Sequence, residues 1–71
     1  MATVTPSRPL APLTPAELRV LAVLQRGATN RVIAAELVIS PRTVEDHVSN
    51  LLAKTASRNR GELLLWAIGA R

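Results

Sequence analysis

Only two residues, Val38 and Ile39, separate Leu37, the last apolar position of one helical pattern, from Ser40, the capping residue of the next. A connection that short leaves no room for the second helix to double back, so it must depart at a steep angle from the first. The second helix is read over Ser40 to Thr55. The Ser40 hydroxyl can accept a free N–H of the first turn, and Pro41 suits the first helical position, where its missing N–H costs nothing. Val44, Val48, Leu51 and Leu52 recur at i, i+4, i+7 and i+8, one apolar stripe to bury. Arg42, Asp46, Ser49 and Ala53 lie opposite, with Glu45 on one flank and Thr43 and Asn50 on the other. Short or hydrogen-bonding side chains of this kind suit a helix laid in a groove, although any solvated helix face shows the same composition.

The rest of the chain supplies helices to pack against that stripe. Thr14 and Glu17 have the spacing of a capping box, Pro15 follows the cap, and Leu13 can staple onto Leu18. Val20, Leu21 and Leu24 make the buried face of this helix, and Gly27 ends it by tolerating a left-handed conformation. Thr29 or Asn30 caps a short helix whose Ile33 and Leu37 point inward, with Ala34 and Ala35 small enough for close approach. Ile39 plugs the corner after it. A final helix is expected from Arg60 to Ala70. Leu63, Trp66, Ala67 and Ala70 form one apolar face there, and Gly61, Leu64, Leu65 and Ile68 form a second beside it. A small domain cannot bury both faces internally, which points to self-association through Gly61, Leu64, Leu65 and Ile68, the alternative being packing against another domain of a longer chain. Residues 1–12 carry Pro6, Pro9 and Pro12 with no periodicity and read as a disordered or linker-like arm, leaving 13–71 as one domain.

Seventy-one residues make a single domain that buries only about 60% of its unfolded surface, so stability is marginal. With no cysteine and a single histidine, neither a disulfide framework nor a metal site is available, and no cofactor is expected. Almost no aromatics among 48% hydrophobic residues favours an all-α fold of short helices. A formal charge of +4 favours a polyanionic partner. No apolar run reaches the roughly 20 residues that span a bilayer, and the start lacks the order of a signal peptide, so a cytoplasmic location without membrane contact is expected. No nucleophile is paired with a base and no glycine-rich phosphate loop is present, so enzymatic function is not expected.

Leu13-Thr14-Pro15 with Glu17, Val20, Leu21 and Leu24, then Gly27, Asn30, Ile33-Ala34, Leu37, Ile39-Ser40, Thr43-Val44, His47, Asn50, Lys54, Asn59-Arg60, Glu62-Leu63 and Trp66-Ala67 together form a distributed pattern. It resembles the LuxR-type helix-turn-helix domain, which includes the effector domains of NarL/FixJ response regulators and GerE, over residues 13–68. The resemblance implies a four-helix domain that binds double-stranded DNA as a homodimer and regulates transcription, its third helix in the major groove and its fourth at the dimer contact. RNA polymerase is a candidate further partner, and no small-molecule ligand is implied for this domain. Carried over by position, Glu45, Asp46 and Ser49, with Arg42 and Asn50, would face bases. Asn30, Arg31, Thr43, Lys54 and Arg58 would meet phosphates. His47 is read as a structural or phosphate-contacting residue rather than a titrating or metal-binding one.

Two pairs of positions depart from the family pattern. Glu45 and Asp46 stand where relatives often carry lysine or another residue that favours DNA. Carboxylates repel phosphate but accept from the cytosine amino group, so weak nonspecific binding with base-dependent choice is expected. Thr55 and Ser57 stand where apolar residues are usual, which would loosen the joint between the third and fourth helices unless the dimer interface compensates. Two other readings remain open on sequence grounds: a protein-interaction module that has lost DNA binding, and a promoter reader attached to polymerase, similar to the fourth region of sigma factors.

Overall fold

The computed structural model describes residues 9–69. Four helices occupy them in the order α1 (Pro15–Leu24), α2 (Asn30–Leu37), α3 (Pro41–Lys54) and α4 (Arg60–Ala67), and no strand is present among the described residues. Each helix begins as its local sequence dictates. Thr14 accepts the Glu17 N–H while Glu17 accepts the Thr14 N–H at 2.9 Å, the reciprocal capping box. Thr29, Ser40 and Asn59 cap the other three through their side chains. Helix α4 stops at Ala67 rather than continuing to Ala70, because Gly69 turns left-handed at φ +76°; Ala70 itself lies outside the described residues.

Helix α3 packs on both α1 and α2, and α4 packs chiefly on α3. The core is made of Val20, Leu21, Val23 and Leu24 from α1, Ile33 and Ala34 from α2, Val44 and Leu51 from α3, and Leu63 from α4. Leu13, Leu37, Ile39, Val48, Leu52, Leu64, Trp66 and Ala67 close over it while remaining partly exposed. Leu13 thus packs on the core, whereas Leu18 stays 52% exposed, so the expected staple does not bury both residues.

The corner between α2 and α3 is a tight left-handed stop. Val38 adopts φ 56° and ψ 48°, and the Ile39 N–H reaches back to the Ala34 carbonyl at 3.0 Å, which lets Ile39 fold onto the core. Glycine usually takes such a position, since a β-carbon there costs roughly 1–2 kcal/mol. Val38 is 88% exposed, so burial of its side chain offsets little of that strain. The same motif recurs after α3, where Ala56 has φ 53° and the Ser57 N–H donates to the Leu52 carbonyl at 2.9 Å.

Beside Ala56, the polar joint is satisfied rather than loose. Thr55 is buried, its hydroxyl donates to the Leu51 carbonyl at 2.7 Å, and it lies 2.7 Å from the Ser57 hydroxyl. Hydrogen bonds replace the apolar anchors that Thr55 and Ser57 were expected to lack, because a buried hydroxyl with partners avoids the penalty of an unpaired one. The arm is also partly attached: the Leu10 N–H donates to the Lys54 carbonyl at 2.6 Å, so residues 9–12 lie against the end of α3, while the rest of the proline-rich arm falls outside the described residues. Replacing the strained Val38 with glycine is expected to raise stability by about 1 kcal/mol and the melting midpoint by roughly 4–8 °C in thermal denaturation.

Candidate nucleic-acid interface

The expected reading face exists as an exposed surface. Val44 and Leu51 are fully buried on one side of α3, and Arg42, Glu45, Asp46, Ser49 and Asn50 are exposed on the other. Arg42 and Asp46, one turn apart, form an ion pair with Nε 3.6 Å from Oδ1. Glu36, Glu17 and Glu62 are likewise paired with Arg26, Lys54 and Arg58, so Glu45 is the one carboxylate side chain among the described residues with no ion pair. Thr43 is drawn into the helix start: its hydroxyl lies 2.9 Å from that of Ser40, and its N–H donates to Ser40 Oγ at 3.1 Å.

The residues expected at phosphates occupy the edges of this face in different states. Arg31 is exposed in the first turn of α2, where helix N–H groups favour an anion. Its neighbour Asn30 is half-buried, and its side-chain oxygen accepts from Arg60 Nη1 at 2.5 Å. Arg60 also donates to the Ala28 carbonyl, which ties the start of α4 to the start of α2. Sequence reasoning did not assign this fastening to Arg60. Nothing in the local pattern signals it, because the partners are about thirty positions away. Arg58 is exposed and sits 3.7 Å from the Glu62 carboxylate, which accepts the Arg58 N–H at 2.8 Å.

Lys54 has a second role that the sequence reading missed. Its ammonium donates to Glu17 Oε1 at 2.7 Å and to the Pro12 carbonyl at 3.0 Å, joining the end of α3 to the start of α1 and to the arm. The Glu17 side chain is only 4% exposed and that of Lys54 23%. Burial pushes the Glu17 pKa upward, but hydrogen bonds from Lys54 and from the Thr14 backbone, with the Lys54 charge, outweigh it and hold the carboxyl below its ordinary value. His47, half-buried, lines a cleft of about 80 Å³ with Ala16 and Arg19 of α1, Leu37 of α2 and Ile39 of the corner.

Residues 11–67, which contain all four helices, match the family described as bacterial regulatory proteins of the luxR family. The chain belongs to this family. Among relatives of the LuxR-family domain, the probable transcriptional regulator ycf29 of Cyanophora paradoxa is 49% identical over 55 residues, covering 78% of this chain and 26% of the relative. The response regulator Rre1 of Synechocystis is 42% identical over 64 residues, covering 90% of this chain and 28% of that protein. The transcriptional regulatory protein LnrK of Bacillus subtilis is 41% identical over 59 residues, 83% of this chain and 27% of its own length. The chain therefore spans about a quarter of the length of these relatives.

In this LuxR-family domain the Glu17–Lys54 pair fixes one end of α3, and its loss has a definite signature. A folded-state pKa held below the unfolded one stabilises the protein fully above about pH 4.3, and that contribution disappears as pH falls through the lower folded value. Lys54→Met, which strands a buried carboxylate, is expected to cost about 3 kcal/mol at neutral pH. Glu17→Gln should flatten the acid limb of stability against pH, measured by urea unfolding between pH 3 and 7.

Proposed function

We propose that this LuxR-family domain is a sequence-specific binder of duplex DNA that regulates transcription, with α3 in the major groove and α4 pairing with a second copy. The observation that carries the reading is the two-sidedness of α3. Val44 and Leu51 of its apolar stripe are fully buried and Val48 and Leu52 pack against the core, while Arg42, Glu45, Asp46, Ser49 and Asn50 face outward from a helix fixed at both ends. A rigid helix with a polar, short-chained outer face can enter a groove about 12 Å wide and reach base edges. The printed names of the relatives, which describe regulators of transcription, support the same reading.

Phosphates flanking the groove would meet Asn30 and Arg31 at the start of α2, Thr43 at the start of α3, and Arg58 beyond its end. Lys54 has two of its three N–H donors committed to Glu17 and Pro12, leaving one for a phosphate. Apart from Arg42, which is paired with Asp46, the cations thus lie at the edges and the carboxylates at the centre. Attraction to any duplex is weak in this arrangement, and the choice among duplexes rests on the outer face formed by Arg42, Glu45, Asp46, Ser49 and Asn50. The salt dependence of binding separates this reading from a protein-interaction module, because each neutralised phosphate steepens the logarithmic salt slope by about 0.9.

Self-association would use the outer side of α4. Leu65 is 45% and Ile68 67% exposed, Gly61 is exposed, and Leu64 is shared with the core. Gly61 also has a local reason to lack a side chain, since a Cβ there would lie 3.3 Å from the Asn59 oxygen that caps the helix. A two-turn helix offers less area than the roughly 800 Å² per partner of a standard interface, so the dimer is weak and is reinforced by adjacent half-sites.

Ser49→Glu is expected to abolish binding to a duplex selected from a random pool while leaving the circular dichroism spectrum unchanged; retained specific binding would place the reading face elsewhere. Ile68→Glu should shift sedimentation at high protein concentration toward monomer and weaken binding to paired half-sites, whereas an unaltered profile would remove α4 from the interface.

A further inference from the structure

Arg42 sits where a cation has little reason to be on grounds of stability. It lies in the first turn of α3, the end at which the helix dipole disfavours positive charge. Its ion pair with Asp46 is exposed, the two side chains keeping 82% and 67% of their surface, and it places the base before the acid, the weaker order on a helix. The pair therefore contributes little to folding.

Its geometry has a different use. Asp46 Oδ1 lies 3.6 Å from Arg42 Nε, an ion pair longer than a hydrogen bond. Neither terminal nitrogen takes part in an ion pair with another side chain among the described residues. A planar guanidinium whose Nε edge is drawn toward a carboxylate turns its two outer N–H groups the other way as a fork, and that fork matches O6 and N7 on the major-groove edge of guanine. An arginine left alone on an exposed helix would instead sample many rotamers and lose that freedom on binding.

Resting on the reading of α3 as the groove helix, we infer that Arg42 reads a guanine and that Asp46 is its positioning residue rather than a direct acceptor from cytosine. The pairing also cancels the Asp46 charge at the DNA surface. Glu45, which has no ion pair, is then the carboxylate left to accept from a cytosine amino group. The two neighbouring acids thus have different tasks: one orients a donor, and the other is an acceptor.

The test uses the intact chain and duplexes enriched from a random pool, with affinities measured by fluorescence anisotropy at fixed salt. Arg42→Ala should abolish a guanine preference of roughly tenfold to a hundredfold at one position of the site. Asp46→Ala should lose most of the same preference, and the double variant should lose no more than Arg42→Ala alone. Substituting 7-deazaguanine at that position, which removes only N7, should weaken binding by the wild-type chain and leave Arg42→Ala unaffected. A guanine preference that survives Asp46→Ala, or a cytosine preference that disappears in Asp46→Ala while persisting in Arg42→Ala, overturns the inference alone. A wild-type chain that enriches no duplex overturns the DNA-binding reading and this inference with it.

Discussion

The ion pair between Glu17 and Lys54 joins three parts of the chain that would otherwise be independent. Glu17 closes the capping box of α1, Lys54 ends α3, and the same ammonium holds the Pro12 carbonyl of the arm. A buried carboxylate is costly unless its charge is met, so the site stays intact only while all partners are present. At the other end of α3, the left-handed turn at Val38 and the cap at Ser40 determine where the helix begins. Fixed at both ends, α3 presents its outer face as a surface of constant shape. A helix that reads base edges needs this, because a displacement of an ångström misaligns its hydrogen bonds.

Distribution of charge along the surface completes the picture. Arg42 and Lys54 balance Glu45 and Asp46 on α3, so the helix carries almost no net charge of its own. On the proposed function, nonspecific attraction comes from the flanks, where Arg31 is exposed at the start of α2 and Arg58 beyond α3. On the same proposal, a face of carboxylates, a hydroxyl and one paired arginine holds any duplex poorly and rejects the wrong one well, since an unmatched acid in the groove is repelled by phosphate without a compensating donor.

Much of this was legible before any coordinates. The capping box at Thr14, the caps at Ser40 and Thr29 and the stripe from Val44 to Leu52 depend on neighbours within a few positions, and a sequence displays such relations directly. The inward turn of Lys54 was not legible, because Glu17 lies 37 positions away and the local pattern shows only a basic residue at a helix end. Arg60 is similar, fastening Asn30 and Ala28 across the fold. The left-handed turn at Val38 was not legible for another reason: a β-branched residue disfavours that backbone, and only the fold shows that Ile39 beyond it packs on the core. The joint at Thr55 was read as weak because residue type alone does not show that its hydroxyl finds the Leu51 carbonyl.

The central claim is that the outer face of α3, flanked by the start of α2, is the surface that meets DNA. Amide chemical shifts of the labelled protein, followed while a selected duplex is titrated at low salt, locate the contact residue by residue. The account predicts that the largest changes fall on Arg42, Glu45, Asp46, Ser49 and Asn50, with a second group at Asn30 and Arg31. Changes confined to α4, or to the cleft around Arg19 and His47 with α3 unaffected, would contradict it.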